Sequence, residues 1–256
     1  MGSALLHGWV DEPDIKFIDV LDPRLKEPIE HLKVTNHQSA STLGDKIGAA
    51  DIVVLAVKPQ IMDKACEQIK EALSENTLIL SIAAGQTIES FEQRFGENQP
   101  IIRAMPNTPA AIGKGITVLC ANNHVSDEQK KNAETLLAAS GLVEWLNDES
   151  LMDAVTAVSG SGPAYVFLLI EILAKAGKTQ GLDPDLSMKL ARQTVIGSAA
   201  LAEGDVGTTA TQLRENVTSP GGTTAAALEV LMNGELQKLY DRTIDAATKR
   251  GKELSS

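Results

Sequence analysis

The hydrophobic and polar positions of this chain follow two rhythms, one for each half. In the first half short β-rich runs alternate with helical patterns. Residues 15–20 (IKFIDV), 51–58 (DIVVLAVK), 77–83 (TLILSIA), 100–105 (PIIRAM) and 116–121 (ITVLCA) read as strands, and residues 141–146 (GLVEWL) as the last of them. The runs VVLAV and LILSI are apolar almost throughout, as strands buried on both faces of a parallel sheet require. Between the strands, residues 61–73 and 127–139 carry helical spacing. Alternation at this interval predicts a doubly wound α/β domain.

From about Glu149 the strands stop. Residues 151–176, 183–203, 208–216, 223–232 and 235–251 all read as helices, punctuated by Ser161-Gly162-Pro163 and Leu182-Asp183-Pro184. The expected division is therefore an α/β nucleotide-binding domain over 1–148 and an all-helical domain over 149–256. Long apolar helices need partners to bury their faces, which makes the second half a dimer interface.

Bulk properties narrow the chemistry. Apolar residues make up 43% of the 256 positions, and no apolar run reaches the roughly 20 residues of a membrane span. The opening MGSALLHGWVDEP has no secretory pattern, so the expectation is a soluble, cytoplasmic protein. A net charge of −11 argues against a nucleic-acid partner and means that an anionic substrate must be captured by local donors. Cys66 and Cys120 suit a reducing compartment and read as small buried hydrophobes. The four histidines are scattered, so no metal site is expected.

Open α/β sheets bind ligands at the carboxyl ends of their strands. Three successive strand ends here carry small residues and prolines: Lys58-Pro59, Ala84-Gly85, and Pro106-Asn107-Thr108-Pro109. Such loops let a backbone approach a flat ring or a pyrophosphate closely. Met1-Gly2-Ser3-Ala4 resembles the tail of a glycine-rich dinucleotide turn, with Gly2 as its third glycine and Ser3 beside it. The preceding strand and first two glycines are absent, so a central strand is expected to be missing; an ordinary capped helix is the equal alternative. After IKFIDV come Asp22-Pro23-Arg24. Asp22 suits either ribose hydroxyls or a turn before proline, and Arg24 either a 2′-phosphate or solvent, which leaves NAD and NADP both open.

Residues 56–59 (AVKP) with 103–109 (RAMPNTP), residues 158–165 (VSGSGPAY) and residues 217–224 (VTSPGGTT) together resemble the pyrroline-5-carboxylate reductase family. Their order and spacing match across the chain apart from the amino terminus, and the last segment is the family's signature. The resemblance implies a Rossmann-type doubly wound parallel sheet followed by an all-α dimerisation domain, in an intertwined homodimer that often assembles into a ring of dimers. It implies reduction of 1-pyrroline-5-carboxylate to L-proline by NADPH or NADH, the last step of proline biosynthesis.

Carried over by motif, Ala56, Val57, Lys58, Pro59, Ala83, Ala84 and Gly85 line the nicotinamide and ribose, with Asn107 and Thr108 close by. Glu149 and Asn216 occupy further cofactor positions, and Val217, Ser219, Gly221, Gly222, Thr223 and Thr224 form the substrate loop. The loop's own chemistry agrees, since a Ser-Pro-Gly-Gly turn leading into a helix exposes N–H groups to a carboxylate. Thr224 is the catalytic candidate, placed to hydrogen-bond the imine nitrogen. The stretch 203–211 (EGDVGTTAT) lacks the acid or histidine some members carry there. Two rival readings stand. One is a related imine or β-hydroxyacid reductase with a catalytic lysine among Lys175, Lys178 and Lys189; the other is a non-catalytic form.

Overall fold

The computed structural model describes residues 2–24 and 29–255; Met1 of the expected glycine-rich turn lies outside them. It divides into two compact units. The first runs to Gly160 and takes back the chain from Ala247 onward; the second spans Ser161–Ala246. The first unit thus continues past residue 148, because Met152 and Ala157 of the next segment are fully buried, Met152 within its core.

The first unit holds helix α1 (Gly2–Trp9) and strands β1 (Ile18–Leu21), β2 (Val34–His37), β3 (Ile52–Leu55), β4 (Leu78–Ser81), β5 (Ile101–Met105), β6 (Gly115–Ala121) and β7 (Gly141–Trp145). Helices α2 (Met62–Ile69), α3 (Ile88–Phe95) and α4 (Asp127–Ala138) alternate with them. Strand β4 is buried throughout, and its residues part by the period of two: Ile79 joins one apolar cluster and Leu78 and Leu80 the other. The first cluster is closed by Met62, Cys66, Ile88 and Phe91 from α2 and α3. Leu5, Leu6, Ala133 and Leu137 from α1 and α4 close the second. Helices on both faces make this the expected doubly wound layer.

Two features depart from a plain parallel sheet. The strands form two ladders, β1–β2 and β3–β4–β5–β6–β7, with no bonded pair between β1 and β3. Side chains from both ladders, Ile18 and Val20 with Ile52 and Val54, nevertheless pack into one cluster. In addition, β5 and β6 run antiparallel while the other pairs are parallel. Residues 106–114 between them are fewer than the dozen or so that a parallel crossover needs, so the chain must return in the opposite direction.

The long helix predicted over 151–176 is instead broken. A short α5 (Met152–Val155) passes into a π-helical turn (Thr156–Gly160), and α6 (Gly162–Thr179) starts afresh with Pro163 in its first turn. Gly160 lies against the end of β5, where a Cβ would come 2.5 Å from the Met105 methyl and that flexible side chain would have to move.

The second unit contains α6, α7 (Pro184–Gly204), α8 (Ala210–Asn216), α9 (Thr223–Leu231) and the start of α10 (Glu235–Ser255). Asp183 caps α7, accepting the N–H groups of Asp185 and Leu186. Helices α6 and α7 pack together with Gly177 facing Ser187. Phe167, Leu168, Ile172, Leu190, Ile196 and Leu201 on this pair remain exposed, a larger apolar face than monomers usually show. Among the described residues one stretch, Glu149–Thr179, is long and apolar enough to cross a membrane by length and composition. The π-helical turn and Pro163 interrupt that stretch, and its α6 portion carries the apolar interface-type face.

Ser187 is 3% exposed and its hydroxyl has no hydrogen-bond partner. A buried unpaired hydroxyl destabilises, and alanine is the better helix former. Ser187→Ala is expected to raise unfolding free energy by about 1 kcal/mol in a denaturant titration. A loss of that size would mean that the hydroxyl is bonded.

Candidate active site

The nucleotide-side residues cluster at the carboxyl ends of the strands. Gly2 opens α1 beside the end of β3, where a Cβ on it would lie 3.2 Å from the Ala56 Cβ. This is the close helix–strand approach for which the third glycine of a dinucleotide turn exists. Ser3 follows in the same first turn. After β3, Lys58 is extended and exposed, its carbonyl accepts the Ile61 N–H at 3.0 Å, and Pro59 starts a short 3₁₀ turn. After β4, Ala83 is buried, Ala84 exposed, and Gly85 has φ +72°. A Cβ on Gly85 would come within 3.0 Å of the Leu254 carbonyl, so neither the conformation nor the space admits a side chain.

Asn107 is more committed than the sequence suggests. Its Oδ1 accepts the Ile116 N–H at 3.0 Å and its Nδ2 donates to the Ser159 carbonyl at 3.3 Å. It therefore ties the end of β5 to β6 and to the π-helical turn, while Thr108 beside it is exposed. Glu149 is likewise engaged, in an ion pair with Arg103 at 2.9 Å. Asp22 accepts the Arg24 N–H at 2.8 Å, the geometry of its turn alternative, and both side chains reach solvent.

Residues near β1 that the sequence reading passed over form a charged group. Asp19 Oδ1 lies 2.8 Å from His37 Nε2 and 2.7 Å from Lys46 Nζ. Burial pulls the Asp19 carboxyl upward, but the hydrogen bonds and charges of Lys46 and His37 outweigh it and leave its pKa below 3.8. Strand β2, which supplies His37, escaped the pattern because VTNH has one apolar residue in four. The thiols take no part: burial pushes Cys66 up to about 11 and Cys120 upward too, which makes both poor nucleophiles.

In the second unit the substrate loop is folded by its own residue types. The Gly222 N–H donates to the Ser219 carbonyl at 3.0 Å across Pro220 and Gly221, and Gly221 has φ +70°. Proline followed by a positive-φ glycine makes a type II turn. Gly222 then caps α9 without a side chain, so the N–H groups of Thr223 and Thr224 begin the helix with no capping acceptor. Thr224 is half-buried; Ser219 and Val217 are exposed. Asn216 ends α8, where its Oδ1 accepts from Gln212 Nε2 at 3.0 Å. Lys175, Lys178 and Lys189 are exposed on α6 and α7.

The first unit thus holds a glycine-tight strand–helix junction and the second an uncapped helix N-terminus. Residues 149–254 match the family model for pyrroline-5-carboxylate reductase dimerisation, and residues 1–85 that for NADP oxidoreductase, coenzyme F420-dependent. The pyrroline-5-carboxylate reductase of Haemophilus influenzae is 38% identical over all of this chain and 94% of its own length. That of Pseudomonas aeruginosa is 43% identical over 82% of this chain and 77% of its own.

The chain belongs to the pyrroline-5-carboxylate reductase family.

Solved structures agree. A pyrroline-5-carboxylate reductase from Coxiella burnetii superposes with TM-score 0.89 at 37% identity, covering 100% of this chain and 95% of that one. Pyrroline carboxylate reductase from Plasmodium falciparum, solved with NADP bound, gives 0.81 at 32% identity over the same shares. As a member of this reductase family the chain is an NAD(P)H-dependent oxidoreductase and a homo-oligomer acting on a small molecule. The exposed apolar helices of the second unit lie inside the dimerisation match.

The Asp19 group predicts a pH effect. Because its carboxyl is held below its unfolded pKa, its stabilisation is complete above that unfolded value, 3.8, and fades as pH falls through the lower folded pKa. Asp19→Asn should flatten the acid limb of a stability–pH profile below about pH 4. An identical acid limb would remove Asp19 from the account.

Proposed function

We propose that this protein reduces 1-pyrroline-5-carboxylate to L-proline and that residues 217–224 hold the imino acid. The observation that carries the assignment is the uncapped N-terminus of α9 behind the Ser219-Pro220-Gly221-Gly222 turn. Helix N-termini concentrate partial positive charge and free N–H donors, so this one suits a carboxylate even in a protein of charge −11. Thr223 and Thr224 N–H groups receive the carboxylate, and Ser219 and Val217 flank it. The Thr224 hydroxyl hydrogen-bonds the ring nitrogen, which gains basicity as the C=N bond is reduced.

Bound NAD(P)H supplies the hydride that reaches the imine carbon. The residues fit a dinucleotide: Gly2 leaves room where a side chain would meet Ala56, and Gly85 keeps the loop after β4 flat. Ser3, Val57, Lys58, Pro59, Ala83, Ala84 and Thr108 complete that shelf through backbone groups. Asp22 and Arg24 offer ribose and phosphate contacts, and Asn216 is a further proposed cofactor residue. The protein's own work is orientation, exclusion of water and placement of the proton-accepting nitrogen. We read the assembly further as a ring of dimers working in the cytoplasm.

Oxidation of NADPH, followed at its absorbance maximum with pyrroline-5-carboxylate and with other cyclic imines, tests the reading. Turnover with the carboxylated ring and at least about tenfold less without the carboxylate is expected, an anchor contact being worth at least about 1.4 kcal/mol. Thr224→Ala should lower turnover by about tenfold on the same scale, and Thr224→Ser should keep most of it. Equal rates with and without the carboxylate would contradict the loop assignment, and an unchanged Thr224→Ala rate would remove that hydroxyl from the mechanism.

A further inference from the structure

The geometry points to Arg103 as a positioning residue for the cofactor loop, acting through Glu149 and Asp153; the inference rests on reading Ala83–Gly85 as that loop. Arg103 stands in the middle of β5 with its side chain 4% exposed. A guanidinium so far from water needs anionic partners of good geometry. Its Nη1 donates to Glu149 Oε1 at 2.9 Å, and its Nη2 faces Asp153 Oδ1 at 3.7 Å.

The same Glu149 oxygen accepts the Ile88 N–H at 2.9 Å. Ile88 is the first residue of α3, and Thr87 caps that helix by accepting the Ser90 N–H. One carboxylate oxygen is therefore fixed between a guanidinium and the first N–H of a helix. The short loop 82–87 runs from β4 into this point. At its entry the Ala83 N–H donates to Ser81 Oγ at 3.3 Å; at its exit the chain is held by Glu149. Only the exit depends on a charge, and that charge is placed by Arg103.

Asp153 provides a second route to the same loop. Gly251 of α10 sits directly over it, with a Cβ position 3.0 Å from Oδ1, and Leu254 one turn on covers Gly85. Arg103 thus reaches Gly85 from both sides: through Glu149 and Ile88 to the loop's exit, and through Asp153 to the helix end lying on it. Glu149, which the motif places among the cofactor contacts, is half-buried and has Arg103 and the Ile88 N–H as its partners. Its effect on the nucleotide is made through the backbone it anchors.

Full-chain Arg103→Gln, Arg103→Lys and Glu149→Gln test this against the parent protein. NADPH affinity is read by fluorescence without imino acid, KM and kcat by steady-state turnover, and folded fraction by thermal denaturation. Arg103→Gln should raise Kd and KM for NADPH at least about fivefold while kcat at saturating NADPH stays within about twofold. Arg103→Lys, which keeps the charge but not the fork, should recover part of the lost affinity. Glu149→Gln keeps an oxygen for Ile88 and should fall between; it carries the test alone if Arg103→Gln does not fold. Unchanged NADPH affinity in the folded variants, or a kcat that merely follows the folded fraction at constant KM, would overturn the inference. A parent protein that binds NADPH without reducing pyrroline-5-carboxylate would defeat the functional reading while this binding test still stands. A parent protein that binds no NADPH would overturn both.

Discussion

A buried guanidinium is the constraint around which the first unit is arranged. Arg103 lies in a strand whose neighbours, Ile101, Ile102 and Ala104, are fully withdrawn from water. Leaving it unpaired there would cost several kcal/mol, so its two carboxylates are structural necessities. Both come from the segment that follows the last strand, Glu149 and Asp153. The ion pairs therefore dock the start of the helical region on the middle of the sheet and leave the strand ends free for loops. Gly160 beside Met105 and Asn107 bonded to Ser159 extend that docking along the π-helical turn.

The proposed substrate loop, residues 217–224, carries no formal charge. An acidic protein that binds a carboxylate must work against its own field. Four residues, Ser219 to Gly222, turn the chain tightly enough to present α9 by its N-terminus, and no side chain caps the donors that result. In the proposed reading, local dipoles take the place of a lysine or arginine, with little change in the long-range field. Thr224, one residue inside the helix, is the proposed neutral hydroxyl partner of the ring nitrogen.

Much of this was legible from residue order, because the signals were local. Six strands announced themselves through apolar runs, and the Ser-Pro-Gly-Gly turn through its proline and glycine. Where the reading fell short, the missing information was non-local. VTNH forms β2 because it pairs with β1, and its single apolar residue gives no period to detect. The antiparallel β5–β6 pair could have been found from the short connection alone, since the length of 106–114 excludes a crossover. Residues 151–176 read as one helix because periodicity does not register a π-helical turn. Arg103 carried a usable sign, a lone charge in an apolar strand that demands an acidic partner. Motif placement gave Glu149 to the cofactor and did not show that its carboxylate also joins Arg103 and Ile88. Asn107, too, holds backbone with both side-chain polar atoms.

If α9 holds the imino acid as proposed, hydride passes from the nicotinamide to its imine carbon. Turnover of pyrroline-5-carboxylate with NADPH deuterated at the transferring C4 position reads this directly, with the proline product examined by mass spectrometry and NMR. A single deuterium is expected, on the ring carbon adjacent to nitrogen and remote from the carboxylate. Proline free of deuterium, or deuterium on any other carbon, would contradict it.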